Sequence, residues 1–400
     1  MPQGLPGLQV RQGRQGLQRP PKTGDGTFGP QMLSCAQQQG DIMQNGVLAD
    51  SQIEALIQGG AIGATEPILP EQVQPASLDL RLGDRAYRVR ASFLPGAGRS
   101  VAERLDELTM HEIPLGTGAV LEKGCVYVVP LMERLALPAG MTAAASAKSS
   151  TGRLDLMTRV ITDQGIEFDR VADGYEGPLF AEICPQSFSV VAQPGQLLTQ
   201  IIFRQGRTFL DDGELRAVHA QTPIVDGDPV ISDGLGFSVD LRPRDGDLVG
   251  YRAKRHTGVV DLARVGHYPP ADYWEEVRTS DGRIILDPGA FYILMSREAI
   301  CIPPDCAAEM APYLAMVGEF RVHYAGFFDP GFGWDGAGGA GSRGVLEVRC
   351  HEAPFVLEHG QVVGRLVYER MSQRPRALYG REIKSNYQGQ GLKLAKHFKG

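Results

Sequence analysis

Four short stretches of this 400-residue chain carry side chains able to do chemistry. Lys148-Ser149-Ser150-Thr151-Gly152-Arg153 brings two serine hydroxyls, a glycine that permits close backbone approach and two cations into six positions. Such a turn cradles an anion, because N–H and hydroxyl donors meet its oxygens and Arg pairs with them bidentately. An exposed Ser/Thr turn is the competing reading, and the Walker spacing is absent. Glu182 and Glu347 each sit among apolar neighbours (Phe180, Ile183; Leu346, Val348) in strand-like runs. Burial raises a carboxyl pKa and suits it to proton transfer; a solvated or ion-paired strand Glu is the alternative. Phe327-Phe328-Asp329-Pro330-Gly331-Phe332 reads as a turn whose flanking aromatics wall a flat ring or merely fill a core. Tyr379 to Gln390 is polar and rich in turn residues, an arm over a ligand or a frayed end.

The elements that position these groups repeat. Gly124, Pro138, Glu182 and Gly195 recur as Gly289, Pro303, Glu347 and Gly360, always 165 residues on. Upstream, at the slightly shorter offset of 161, Ser77-Leu-Asp79-Leu-Arg81 recurs as Ser238-Val-Asp240-Leu-Arg242. One constant offset means two copies of one domain, too few for a solenoid. Within each copy the apolar runs are short and β-prone: residues 125–131, 197–203, 291–295 and 362–368. Turn signals precede them, at Pro194-Gly195 and His359-Gly360 for example, as in a barrel or jelly roll. The copies meet near residues 205–235, where Gly, Asp and Pro dominate. Asp50 is the expected N-cap of a short helix ending near Ile57, with Ile53, Leu56 and Ile57 on one face. Residues 1–45 are rich in Gln, Gly and Pro without apolar period, the composition of a disordered extension, and Met43 is a candidate start. The expected boundaries are therefore 1–45, copy one 46–210, copy two 211–375 and a terminal arm 376–400.

Composition narrows the function. Charged residues are 22% and hydrophobic residues 42%, ordinary for a soluble globular protein. A formal net charge of −7 argues against a general nucleic-acid or membrane-surface binder. No apolar run approaches the ~18 residues of a spanning helix. The six cysteines are scattered, as free thiols of a cytoplasmic protein are. Cys301 and Cys306 lack a second pair to complete a zinc site, and the zinc nucleobase-deaminase signature is missing.

Taken together, these features resemble the dCTP deaminase branch of the dUTPase superfamily over roughly residues 46–392. The likeness rests on the helix at 48–57, Gln74 to Gly83, the phosphate motif Lys148 to Arg153, the hairpin Phe328 to Phe332, the strand Val345-Leu346-Glu347 and the arm with Tyr379 and Tyr387 to Gln390. It implies a mainly β chain of two tandem dUTPase-like, distorted jelly-roll or β-barrel domains with few short helices. It also implies hydrolytic deamination of dCTP to dUTP and ammonia, without zinc. Mg²⁺ arrives with the triphosphate, and dTTP or dUTP are further candidate ligands. A homo-oligomer in the cytoplasm is expected, with no nucleic-acid or membrane partner. A dUTPase, a bifunctional enzyme giving dUMP and a non-catalytic nucleotide-binding regulator are the competing readings.

The two copies depart from the family pattern in complementary ways. Copy two has Met316 to Phe320 where the phosphate motif belongs, and copy one has Asp163-Gln164-Gly165 in place of Asp-Pro-Gly. The resemblance therefore implies one composite site. Copy one supplies Lys148, Ser149, Ser150 and Arg153. Copy two supplies Asp329, Val345, Leu346 and Glu347, and the arm adds Tyr379, Lys384 and Gln390. Glu347 is the expected base, Glu182 the alternative, with Ser149 and Arg153 orienting water and stabilising charge. Asn386 stands where the family is often basic, a role for which Lys384 is the candidate substitute.

Overall fold

The structure is a computed structural model that describes residues 45–242, 246–312, 320–323, 326–337, 339–380, 383–384 and 387–399. Residues 43–400 form one compact unit. The extension expected over 1–45 lies outside the described residues except for Asn45, as do residues 316–319 and Asn386.

Turn glycines set the strand starts. Gly124 and Gly289 adopt φ of +76° and +69°, where a side chain is disfavoured. Just beyond them run the strands Val126–Ala136 and Phe291–Ile300. Both halves are then wired alike. Glu176–Pro185 lies antiparallel between Val126–Ala136 and Leu156–Thr162. Ser342–Cys350 lies in the same way between Phe291–Ile300 and Phe320–His323. In a second sheet Leu197–Gln205 sits between Leu78–Arg81 and Met141–Ala147. Its counterpart Val362–Arg370 sits between Leu235–Ser238 and Cys306–Pro312. The mainly β, tandem architecture follows directly from this pairing.

Strand alternation decides what each half shows to the other. From Ser342–Cys350, the side chains of Leu346, Val348 and Cys350 enter the second half's own core. Val345, one position from Leu346, joins the first half's core instead. Glu347 and Arg349 share its face. In Glu176–Pro185, Leu179, Ala181 and Ile183 enter the first core, while Phe180 packs with Phe93, Val101 and Leu105. The helix Val101–Leu108 thus covers the strand face that also carries Glu182.

One local expectation needs correction. The first helix, Asp50–Gln58, is capped at Ala49, whose N–H donates to Gln52 Oε1 at 3.0 Å. Asp50 is the first helical residue, and its carboxylate accepts the backbone N–H groups of Arg376 and Ala377 at the start of the arm. The junction at 205–235 contains the helix Asp212–Gln221. Asp211 and Glu214 form a reciprocal capping box there, a signal that the surrounding Gly and Asp obscured. Among the described residues no helix is long and apolar enough to cross a membrane.

Candidate active site

A cavity of about 610 Å³ opens where the two halves and the C-terminal segment meet. Lys148, Ser149, Ser150 and Arg153 of the first half line it, with Asp329, Val345 and Glu347 of the second and Tyr379 and Gln390 of the arm. Lys148 begins the turn-forming run directly after Met141–Ala147. Its N–H donates to Leu198 O at 2.9 Å, and Thr151 Oγ1 donates to the same carbonyl. One short helical turn, Ser149–Gly152, then carries Arg153 into the interior.

Arg153 Nε lies 3.8 Å from Glu347 Oε1, too far for a hydrogen bond, and both side chains are buried. Arg153 Nε has no other partner. Its two Nη atoms donate to Lys393 O and Gln390 Oε1, each at 3.0 Å. Burial pushes the Glu347 carboxyl up to about 8, with the Arg153 charge opposing. A carboxyl raised this far above its ordinary range can both take up and give back a proton during one turnover.

Asp329 is pushed up to about 7 by burial, against the pull of Lys148. Its Oδ1 is buried without a partner. Phe327, Phe328 and Phe332 border the same space, and Phe332 packs on Phe328 and Tyr379 at centroid distances of 5.3 and 5.6 Å. Burial also raises the Tyr379 pKa, so its hydroxyl stays protonated. Lys148 is ion-paired with Asp79, which faces Gln200 across the sheet. Burial raises the Asp79 pKa, with Lys148 opposing, and Asp79 Oδ1 is left without a partner.

The arm closes over these groups. Tyr387 Oη and Ser150 Oγ share a hydrogen bond of 2.6 Å, and the Arg153 guanidinium lies 4.0 Å from the Tyr387 ring centroid. Gln390 bridges Arg153 to the Arg343 carbonyl. The chain then continues into the first core, where Leu394, Ala395 and Phe398 are buried. Phe398 packs edge-on to Tyr273 and Trp274 at 5.5 and 5.7 Å. This anchor delivers Lys396 to the cavity near Lys148 and Asp79. Burial, then the neighbouring Lys148, lower the Lys396 pKa. Nothing local in the sequence marked Lys396. Only the apolar residues of an otherwise polar tail hinted that this segment docks.

Two expected site residues fall elsewhere. The Leu346 side chain lies in the second core, because adjacent strand residues face opposite ways. Glu182 does not line the cavity. It is fully buried and ion-paired with Arg159, its cross-strand neighbour, whose Nε donates to it at 3.2 Å. Lys384 forms backbone pairing with the arm's Tyr379–Gly380 strand, and its side chain lies outside the described residues.

The chain is thus a twice-built β protein whose halves share a buried carboxylate–guanidinium site. Profiles of the 2'-deoxycytidine 5'-triphosphate deaminase (DCD) N-terminal and C-terminal domains match residues 44–207 and 211–398. The dCTP deaminase of Halorubrum lacusprofundi is 30% identical over 164 residues, which are 40% of this chain and 77% of that protein. A relative from Corynebacterium kroppenstedtii named dCTP deaminase, dUMP-forming, is 34% identical over 112 residues, 28% of this chain and 59% of its own length. The crystal structure of 2'-deoxycytidine 5'-triphosphate deaminase from Agrobacterium tumefaciens aligns with a TM-score of 0.79 at 53% identity. That alignment covers 82% of this chain and 99% of the other. The chain belongs to the dCTP deaminase family, a family of enzymes.

Proposed function

We propose that this chain hydrolyses dCTP to dUTP and ammonia at one composite site per chain. The observation that carries the reading is the Arg153–Glu347 pair, which couples the phosphate turn of one half to the proton-exchanging carboxyl of the other. Glu347 takes a proton from the water that attacks C4 of cytosine and hands it to N3. The remaining hydroxyl proton passes through Glu347 to the amino group, which leaves as ammonia while the C4 carbonyl forms. Arg153 compensates the charge on Glu347 during the exchange, and Ser149 orients the water. Phe328 and Phe332 flank the base, and Asp329 binds the sugar–base end. Lys148, Ser150 and Lys396 take the phosphates, under a lid made by Tyr387 and Gln390. Magnesium enters as part of the substrate, and the unpartnered Asp79 Oδ1 is a fitting acceptor for its bound water. A cytoplasmic location and a homo-oligomeric state belong to the same reading.

The dUMP-forming name carried by several relatives supports a second reading, in which pyrophosphate is also released. The test is incubation with dCTP and Mg²⁺, with ammonia, pyrophosphate and nucleotides quantified together. Equal amounts of ammonia and dUTP are expected. Pyrophosphate with dUMP would make the enzyme bifunctional, and no ammonia would sink the deaminase reading.

A further inference from the structure

Asp155 and Arg349 make a second bond across the boundary that Arg153 and Glu347 span, and the chemistry above uses neither. Each lies two residues beyond its catalytic-site neighbour. Arg349 Nη2 donates to Asp155 Oδ2, and Arg349 Nη1 donates to Gly289 O at 2.8 Å. Asp155 is fully buried, with its backbone in the left-handed region at φ +54°. Its own half holds it firmly: Ser187 Oγ donates to Asp155 Oδ2 at 2.6 Å, and Gln186 N donates to Asp155 O at 2.9 Å. One end of the bridge is therefore fixed in the first half and the other in the second.

The order of charges matters. Along the first half the sequence runs Arg153, Leu154, Asp155; along the facing strand it runs Glu347, Val348, Arg349. In the observed register each charge meets its opposite. Sliding either segment by two residues would set Arg153 against Arg349 or Asp155 against Glu347. Both alternatives juxtapose like charges of which at least one is buried, which is unfavourable.

We propose that the Asp155–Arg349 bridge is a positioning pair that sets the register and separation of Arg153 against Glu347. The inference rests on the reading of Glu347 as the proton-transfer group. Neither Asp155 nor Arg349 lines the cavity, so the pair acts through its neighbours and not on the substrate.

The experiment compares Arg349→Gln and Arg349→Lys with the unaltered full chain, reading kcat, KM and the pH profile of ammonia release from Mg·dCTP. Arg349→Gln should lower kcat roughly 10- to 100-fold with little change in KM, since small misplacements of catalytic groups are costly. Its kcat profile should shift to higher pH, because Arg153 no longer holds the Glu347 pKa down. Arg349→Lys should recover part of both effects. Ser187→Ala, which trims only the buttress, should shift the profile the same way by less and covers the case in which Arg349→Gln fails to fold. An unchanged pH profile in folded Arg349→Gln or Ser187→Ala overturns the proposal, as does an activity loss that merely tracks the folded fraction. Glu347→Gln assayed in parallel separates the two failures. If it retains turnover, the site reading is wrong; if it is inactive while Arg349→Gln keeps normal kcat and profile, only the positioning role is wrong.

Discussion

Arg153 and Glu347 approach to 3.8 Å from opposite halves of one chain, with side-chain exposures of 3% and 7%. Taking either charge out of water alone is costly, and together they compensate each other. The pair is held just beyond hydrogen-bond distance, so the carboxyl stays free to exchange a proton. It is pushed up to about 8 all the same, because burial outweighs the guanidinium. Duplication thus produced two halves that are alike in wiring and unlike in chemistry.

Glu347→Gln is expected to abolish ammonia release while nucleotide binding persists, because the amide keeps the shape but cannot accept the proton. Glu182→Gln should behave oppositely. Its partner Arg159 loses a buried counter-charge, so the melting temperature should fall while kcat is retained. Turnover kinetics and thermal denaturation of both variants check this. An active Glu347→Gln with an inactive Glu182→Gln would reverse the assignment.

The same buried acids make stability depend on pH. Glu347 and Asp329 titrate near 8 and 7 in the folded chain, above the ordinary 4.5 and 3.8. The folded state therefore binds protons more tightly than the unfolded state. Their contribution is fully present below about pH 4 and is lost as pH rises towards 8. Each pH unit of displacement corresponds to about 1.4 kcal/mol. Glu347→Gln should accordingly be more stable than the natural chain by a few kcal/mol at pH 8 to 9, a gain that disappears near pH 4.5. Denaturant unfolding across this range measures it; equal stability of the two at pH 9 would contradict the burial argument.

Lys396→Met should weaken triphosphate binding about tenfold, the scale of one charge-assisted hydrogen bond. It should affect dCMP little, and Lys396→Arg should restore part of the loss. Equilibrium binding of dCTP and dCMP to each variant distinguishes phosphate recognition from general damage.

Phe398→Ala removes an aromatic anchor from the core and should destabilise the fold by about 3 kcal/mol. Because Phe398 fixes the segment that carries Lys396, KM for dCTP should rise as well. Chemical denaturation and steady-state kinetics read the two effects separately.

Much of this was legible in the residues. Strands and copies could be read because alternation and turn glycines recur at one offset, as Gly124 and Gly289 do. The cavity gathers Lys148, Ser149, Ser150, Arg153, Asp329 and Glu347 because complementary motif loss leaves one intact set. Alternation also forbids Val345 and Leu346 from sharing a face, an inference available from sequence and missed. Other features were illegible for a physical reason. Asp155 meets Arg349, and Lys396 reaches Lys148, through pairings between distant segments that no local pattern encodes. Glu182 stood as the alternative to Glu347 until its cross-strand Arg159 was in view.

The most direct test is co-expression of Arg153→Ala with Glu347→Gln, followed by purification and measurement of ammonia release from Mg·dCTP. Both residues come from one chain, so the mixture should stay as inactive as either variant alone. Recovery of a substantial fraction of normal activity would show that the site is assembled between chains and would contradict the account.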